Sequence, residues 1–461
     1  MSFDNEASYL IDSVEVQNLW GKYNISSKLS KDVNIFIGIN GSYKTTLIRL
    51  IYNLLTLDFE KLITVDFDFV KLKLRNGKSS KTIIFSKVNT ENGEKKYLFE
   101  IKGIRKMTLT ERDVRLSERF IFDDDDDDDF EPSFISYGNS KSVLKSKFVP
   151  LREEVTKIIN IDYLNINRYS SNRRRHYFHD DEPYSIEYEI KKLVEQFIRY
   201  QSEIKTAINK CTNDFLLDSF IFLLKEDLER IDNYKLSFSS SDLEDYKKIL
   251  KEVSKDEDFV AKELFDLKTR IDDIDSIMSK VAKENKSFSM SDLMRFLGKQ
   301  DFAKLLGNFP FIAKFQKMLE KYKEAEKVKR NIEKPTKKFM DISNEFLKSK
   351  MFPEKSLVTI EDGSLMLKID KDQTVPLRSL SSGEKQLIIL LLRTLLQKGK
   401  KGVYIADEPE LSLHIKWQEK LIRALREINP NIQIIFATHS PDIVSEFDNK
   451  LIQMEDILSN G

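Results

Sequence analysis

The stretch Gly38–Thr46 constrains this chain more than any other. Its sequence is Gly-Ile-Asn-Gly-Ser-Tyr-Lys-Thr-Thr; it follows the apolar run Val33–Ile37 and leads into the apolar-faced segment Leu47–Leu55. A strand, a loop with glycines, a Lys-Thr pair and a helix, in this order, are typical of a phosphate-binding loop. Such a loop points backbone N–H groups and the positive end of a helix at one spot. The pattern therefore predicts a site for the phosphates of a nucleotide.

The residue types within this stretch predict individual roles in binding ATP and Mg²⁺. Lys44 is expected to reach the β- and γ-phosphates and to act in catalysis, and the Thr45 hydroxyl is expected to hold Mg²⁺. The other ATP-binding residues predicted in this loop are Gly38, Asn40, Gly41, Ser42, Tyr43 and Thr46. Tyr43 departs from the pattern, since a glycine small enough to let the loop close round phosphate is expected there. We therefore expect slow ATP turnover.

Composition limits the class of protein. The 461 residues include 76 Lys and Arg and 76 Asp and Glu, so the net charge gives no global argument for nucleic-acid binding, although a local basic patch stays open. The single cysteine, Cys211, excludes an internal disulfide framework and a cysteine-rich zinc site. No apolar run of about 18 residues and no signal-peptide pattern occur, so we expect a cytoplasmic protein without a membrane segment.

Hydrophobic periodicity divides the chain into three parts. Residues 1–185 contain the phosphate-binding loop and a β-rich antiparallel region. Residues 186–350 have helical periodicity, with apolar residues spaced 4-3-4-3-4-3 from Val260 to Val281, which predicts an inserted α-helical, partly coiled-coil arm. Residues 351–461 return to apolar strands that alternate with helices. The strands predicted in the β-rich region are Leu62–Leu74, Lys81–Lys87 and Lys96–Gly103.

The C-terminal part supplies further candidate site residues. The buried strand Val403–Ala406 ends in Asp407-Glu408-Pro409, and two carboxylates at the end of a strand beside a phosphate-binding loop suit a metal-and-base pair. Asp407 is expected to hold Mg²⁺, and Glu408 to polarise the attacking water as general base. The third apolar strand ends in Thr438-His439-Ser440, where His439 can contact the γ-phosphate as a catalytic residue. Before these strands, Leu380-Ser-Ser-Gly-Glu-Lys-Gln386 opens a strongly apolar helix.

In chain order the four motifs are the phosphate-binding loop, Leu-Ser-Ser-Gly-Glu, Asp-Glu-Pro and Ala-Thr-His-Ser. Together they resemble those of ABC-type ATPases, whose head is an α/β fold with a mixed sheet and helices. The LSSGE stretch is similar to the ABC signature, so the resemblance implies that Ser381, Ser382, Gly383 and Glu384 contact the ATP bound to a second subunit. It therefore also implies a homo-oligomer that is at least a head-to-tail dimer, with ATP and Mg²⁺ bound between the heads.

The long insertion and the segment Asp407–His414 narrow the resemblance to the SMC and OLD-like group of ABC ATPases. The sequence Asp-Glu-Pro-Glu-Leu-Ser-Leu-His, followed by Trp417-Gln418, resembles OLD-family nucleases and the ATPase subunits of anti-phage systems, AriA-like in PARIS and PtuA-like in Septu. OLD proteins continue into a Toprim nuclease, whereas this chain ends about 20 residues after His439. The resemblance therefore implies a separate effector nuclease, of Toprim or HNH type, and a phage-encoded trigger.

Two alternatives remain open at this stage. A RecF- or Rad50-like DNA-repair ATPase would bind DNA, although the chain lacks the Cys-x-x-Cys zinc hook of Rad50. The ATP-binding subunit of a membrane transporter is a third interpretation, against which the long insertion argues. Arg168 is a further candidate for contact with phosphate, and the acidic run Asp123–Asp129 is expected to form a solvated loop.

Overall fold

A computed structural model describes most of the chain. The described residues are 8–89, 95–114, 140–164, 186–224, 240–282, 290–348, 354–359, 363–370, 373–444 and 446–460. Arg168 and the acidic run Asp123–Asp129 lie outside the described residues.

The described strands, numbered in chain order, belong to three sheets. They are β1 (Leu10–Leu19), β2 (Tyr23–Lys28), β3 (Val33–Ile37), β4 (Phe69–Asn76), β5 (Ser79–Asn89), β6 (Lys95–Ile101), β7 (Arg105–Leu109), β8 (Ile161–Leu164), β9 (Ser356–Thr359), β10 (Leu365–Asp370), β11 (Gln373–Pro376), β12 (Gly402–Asp407), β13 (Ile432–Ala437), β14 (Leu451–Gln453) and β15 (Leu458–Asn460).

The described helices are numbered in the same way. They are α1 (Lys44–Leu55), α2 (Phe59–Ile63), α3 (Ser140–Ile158), α4 (Ile186–Leu224), α5 (Ser240–Val253), α6 (Glu257–Ala282), α7 (Met290–Leu347, interrupted at Gly298), α8 (Ser382–Leu396), α9 (Ile415–Ile428), α10 (Pro441–Val444) and α11 (Met454–Ile457).

A parallel sheet in the order β14-β3-β13-β12-β8 brings the sequence motifs together. Strands β12 and β13 are buried along their whole length, as continuous apolar runs in a parallel sheet are expected to be. In register, Asp407 is paired with Ala437, and Ala437 with Phe36. Because parallel strands end at one edge of the sheet, the loops that follow β3, β12 and β13 lie side by side.

An antiparallel sheet in the order β15-β2-β1-β4-β5-β6-β7 forms the second layer of the same unit. It confirms a mixed α/β head with an antiparallel part. One strand prediction was wrong at its start: residues Leu62–Leu74 do not form one strand, because α2 precedes β4. The Asp58 side chain caps α2 by accepting a hydrogen bond from the Lys61 N–H, so the local sequence favours a helix there.

The chain forms two compact units. One comprises residues 1–201 and 335–461, and the other comprises residues 202–334. The three-part division at 186 and 350 stays a prediction. In the smaller unit, the elements among the described residues are helices. Its buried core residues are Phe215, Tyr246, Ile249, Leu250, Val260, Leu267, Ile271, Ile274, Ile277, Leu305, Phe315, Leu319 and Tyr322.

The heptad seam in α6 differs from the prediction at its end. Ile277 is buried, whereas Met278, which the 4-3 spacing placed in the seam, is 38% exposed. The buried residues Ile271, Ile274 and Ile277 are each spaced by three residues, so the packed face leaves the 4-3 repeat at this end of the helix. Among the described helices, none is both long and apolar enough to cross a bilayer.

Candidate ATP site

The loop after β3 has the backbone of a phosphate-binding loop. An added Cβ at Gly38 would lie 2.8 Å from Ser42 Oγ, so only glycine fits there without a shift. Tyr43, at the N-cap of α1, has φ 67° and ψ 16°, the left-handed conformation that glycine adopts without strain. The tyrosine therefore has a backbone conformation that would suit the expected glycine. Its ring packs against Tyr23, with the centroids 5.4 Å apart.

Lys44 turns back into the loop. Its Nζ donates hydrogen bonds to the carbonyl oxygens of Gly38 at 2.9 Å and Ile39 at 3.2 Å, and to Ser42 Oγ at 3.3 Å. Burial lowers the pKa of Lys44, against the opposing influence of nearby acidic groups, of which Glu455 acts most strongly. The ammonium thus lies within the loop, which is the location that contact with phosphate requires.

Thr45 and Asp407 meet across the site. The Thr45 Oγ1 donates a hydrogen bond to Asp407 Oδ1 at 3.0 Å. Both are hard oxygen donors, and adjacent ligands of an octahedral Mg²⁺ with bonds of 2.0–2.1 Å are about 2.9 Å apart. The types of these two oxygen ligands and their spacing fit Mg²⁺.

The two carboxylates at the end of β12 have different environments. Burial raises the pKa of Asp407, and the hydrogen bond from Thr45 opposes that rise. Glu408 is partly exposed and has φ 52°, a conformation rare for a residue with a side chain. Its backbone N–H donates to the Ala437 carbonyl oxygen at 2.7 Å, which ties the start of this loop to β13. Strained backbone of this kind is concentrated at functional sites.

The turn after β13 is held by a residue to which no sequence motif assigned a role. Glu410 Oε1 accepts hydrogen bonds from the Thr438 hydroxyl at 2.5 Å and from the His439 backbone N–H at 3.1 Å. The Ser440 hydroxyl lies 2.6 Å from Gln418 Oε1. The position of Glu410 within the OLD-like segment was the available signal, but its partner strand could not be assigned from the sequence.

The signature residues lie at the N-terminus of α8. Ser381 and Ser382 are exposed. Ser381 and Glu384 form a capping box, in which each side chain binds the other residue's backbone N–H. Lys355 Nζ also contacts Glu384 Oε1 at 2.5 Å. The Glu384 carboxylate is thus used to begin the helix, and its contact with ATP stays a prediction.

Gly383 connects the signature to the loop after β12. An added Cβ at Gly383 would lie 2.3 Å from the Ser412 carbonyl oxygen, so the two backbones touch only because this residue is glycine. The segment Asp407–His414 therefore contacts three other motifs: the phosphate-binding loop through Asp407, the turn after β13 through Glu410, and the signature through Ser412.

A second missed residue lies near the phosphate-binding loop. Glu455, in α11, accepts a hydrogen bond from the Ile39 backbone N–H at 3.2 Å. An added Cβ at Gly38 would lie 3.0 Å from one of its carboxylate oxygens and 3.1 Å from the other. Backbone N–H groups, its own first and that of Ile39 next, lower the pKa of Glu455. No local pattern marks this residue, because it is 416 positions from its partner.

A family model described as "AAA domain, putative AbiEii toxin, Type IV TA system" matches residues 179–445, more than half of the chain. The chain belongs to this AAA-domain family. The matched range includes the signature, the segment Asp407–His414 and the turn that contains His439, and it begins after the phosphate-binding loop.

Curated relatives match parts of this AAA-family chain. The "Retron Vc95 probable ATPase" of Vibrio cholerae serotype O1 biovar El Tor is 26% identical over 199 residues, which are 40% of this chain and 36% of the relative. The "Retron Ec83 probable ATPase" of Escherichia coli is 31% identical over 121 residues, 24% of this chain and 22% of the relative. "Septu protein PtuA" of Bacillus thuringiensis is 46% identical over 44 residues, 10% of this chain and 11% of the relative.

Each match spans well under half of the relative's length. The relatives nevertheless confirm the predicted resemblance to ATPases of defence systems, including the Septu type.

Among solved structures, the chain is similar to an Smc head domain with an extended coiled coil, bound to the C-terminal domain of ScpA, from Pyrococcus furiosus. The TM-score is 0.39 at 16% identity, over 96% of this chain and 93% of that one. The SMC head domain from Thermotoga maritima gives 0.34 at 12% identity, over 94% and 91%. Similarity this low supports no inference about function.

Proposed function

We propose that this protein is an ATP-binding and ATP-hydrolysing subunit of a prokaryotic anti-phage defence system. In this role it senses a phage-encoded trigger and controls a separate effector nuclease. The observation that carries the proposal is the segment Asp407–His414, which contacts the phosphate-binding loop, the signature and the His439 turn. The retron and Septu relatives support the biological setting.

The chemistry proposed for the site uses groups already placed near one another. Lys44 neutralises the β- and γ-phosphates, and the loop N–H groups bind their oxygens. Thr45 and Asp407 would hold Mg²⁺, which would neutralise part of the charge of the phosphates. Glu408 accepts a proton from the attacking water as the water oxygen bonds to the γ-phosphorus and the bond from that phosphorus to ADP breaks. His439 contacts the γ-phosphate.

A second copy of the chain is proposed to complete the site. Ser381 and Ser382 are exposed at a helix N-terminus, where backbone N–H groups can bind a γ-phosphate presented by another molecule. ATP bound between two heads would then be contacted by both subunits. Slow turnover suits such a sensor, because the closed state lasts until the trigger acts.

The rate of ATP hydrolysis is the first of two measurements that test the proposal. Purified protein is expected to hydrolyse Mg²⁺-ATP, with Lys44→Ala lowering the rate by about 100-fold or more. Glu408→Gln is expected to lower it by roughly 10²- to 10⁴-fold, as loss of a general base does. Lys420→Ala, which removes an exposed ion pair with Glu345, serves as control and should leave the rate unchanged.

The same variants are then compared in a phage-plating assay, together with the gene of the neighbouring nuclease. Loss of protection by Lys44→Ala and Glu408→Gln is expected. Full protection by both would refute the proposed role, and ATP-dependent, salt-sensitive binding to DNA ends without protection would favour the DNA-repair alternative.

A further inference from the structure

We infer that Glu410 is a positioning residue that sets the location of His439 for contact with the γ-phosphate. The inference rests on the proposed function, since it assigns a role within that same ATP site. It adds a residue for which the sequence pattern gave no chemical role.

The first argument is the pair of hydrogen bonds on one oxygen. Glu410 Oε1 accepts from the Thr438 hydroxyl at 2.5 Å and from the His439 backbone N–H at 3.1 Å. Thr438 is fully buried, whereas His439 is exposed. Burial therefore does not fix the imidazole. Its position depends on the backbone of His439, which the hydrogen bond to Glu410 holds.

The second argument is that burial of the Glu410 carboxylate destabilises the fold. Glu410 is only 9% exposed, and its Oε2 is buried without a hydrogen-bond partner among the described residues. A buried polar atom without a partner destabilises a fold. The fold accepts this cost at the position whose side chain holds the turn that contains His439.

The third argument is location. Glu410 lies three residues after Asp407, in the segment that begins at the end of β12 and passes Glu408. A movement of Asp407–Glu408 that accompanies nucleotide binding would therefore reach His439 through a single side chain.

A double-mutant cycle tests the inference. Glu410→Ala is expected to lower kcat by on the order of 10- to 100-fold while leaving the KM for ATP within about 2-fold, since the geometry of one catalytic contact is lost. In the His439→Ala background, Glu410→Ala should cause no further loss. Glu410→Gln keeps an oxygen acceptor and should retain most of the rate. Additive effects of the two substitutions, or an unchanged rate in Glu410→Ala, would overturn the inference.

Two controls separate positioning from stability. Asp58→Ala removes a buried capping carboxylate at α2 and should lower the melting temperature without lowering kcat. If Glu410→Ala does not fold, Thr438→Val removes one of the two donors with little change of shape and should lower kcat instead; an unchanged kcat in that variant would overturn the inference.

A readout independent of turnover uses the small number of histidines. The chain has four, so NMR of histidine-labelled protein can follow His439 individually. A non-hydrolysable ATP analogue is expected to shift the His439 ring signals relative to ADP in the wild type and not in Glu410→Ala. Equal shifts in both would overturn the positioning role alone, whereas absence of ATP binding by the wild type would overturn the proposed function and this inference together.

Discussion

The Glu455 carboxylate accepts a hydrogen bond from the Ile39 backbone N–H at 3.2 Å, so an acidic side chain lies against the loop that is expected to bind phosphate. It is also the acidic group with the largest influence on Lys44. A nucleotide phosphate would carry a charge of the same sign to the same N–H groups. The structure therefore contains a local competitor for the phosphate that the loop is proposed to bind.

Removing this carboxylate is expected to strengthen ATP binding. Glu455→Ala should lower the Kd for ATP a few-fold, because like-charge repulsion and competition for the Ile39 N–H are both lost. Glu455→Gln removes only the charge and should lower the Kd by less. The gain in ATP affinity should be smaller at high salt, because salt screens the charge of the exposed Glu455 side chain. Calorimetric titration at two salt concentrations measures it, with Asp456→Ala, the adjacent exposed acid, as control. Weaker binding by Glu455→Ala would show that the carboxylate supports the loop instead.

Tyr43 is expected to restrain the loop at a cost in backbone strain. Left-handed backbone costs a non-glycine residue about 1–2 kcal/mol, which contact of the ring with Tyr23 offsets. Tyr43→Gly removes both the ring and the strain, whereas Tyr43→Ala removes only the ring. The glycine variant should therefore be more stable than the alanine variant by about 1 kcal/mol in denaturant unfolding.

ATP turnover by the same variants tests the functional side of Tyr43. We expect Tyr43→Gly to raise the rate, because a smaller residue lets the loop close round phosphate. Tyr43→Phe keeps the ring and should behave as the wild type does. An unchanged or lower rate in the glycine variant would show that the tyrosine has a role other than restraint.

The sequence predicted the arrangement of the site where the signals are local. The apolar runs of β3, β12 and β13 predicted buried strands, and the residues after each run lie together because parallel strands end at one edge. Lys44, Thr45 and Asp407 could therefore be grouped from the sequence alone.

The sequence could not predict contacts between residues that belong to no common motif. Glu455 meets Ile39 only after the chain has returned to β14, beside β3. The pairing of Glu410 with the turn after β13 depends on the register of two strands, which apolar runs do not encode. In α6, the 4-3 spacing placed Met278 in the seam, whereas the packing of the helical unit buries Ile277.

The proposed dimer predicts that the exposed signature serine matters only between subunits. Ser382 is exposed and lies outside the capping box, so Ser382→Arg should leave the monomer folded. It should abolish ATP-dependent dimerisation of the slowly hydrolysing Glu408→Gln protein, measured by sedimentation velocity with and without Mg²⁺-ATP. Lys416→Ala, an exposed change on α9, is the control. A Ser382→Arg protein that still dimerises with ATP would contradict the head-to-tail arrangement.

The loss of Mg²⁺ affinity at acidic pH should depend on the Thr45 hydroxyl. Burial raises the pKa of Asp407, and the hydrogen bond from Thr45 partly counteracts this. Mg²⁺ requires the ionised carboxylate, so Mg²⁺ affinity should fall, as pH decreases, at a higher pH than for an ordinary aspartate. Thr45→Val should move this fall to still higher pH, while Thr45→Ser, which keeps the hydroxyl, should not. Mg²⁺ titrations in the presence of ATP across pH measure the shift.

The raised pKa of Asp407 also predicts how stability depends on pH. The folded chain binds this proton more tightly than the unfolded chain does, so the contribution of Asp407 to stability is lost as pH rises through the raised pKa. Asp407→Asn stays neutral and keeps an oxygen acceptor for Thr45. It should therefore have a higher melting temperature than the wild type at neutral pH, and the difference should shrink as pH falls and the wild-type carboxyl becomes protonated.

The Asp407→Asn variant should at the same time lose Mg²⁺-dependent ATP turnover. A lower melting temperature at neutral pH would mean that the charge of Asp407 stabilises the fold, through Arg49 or another cation, more than its burial costs.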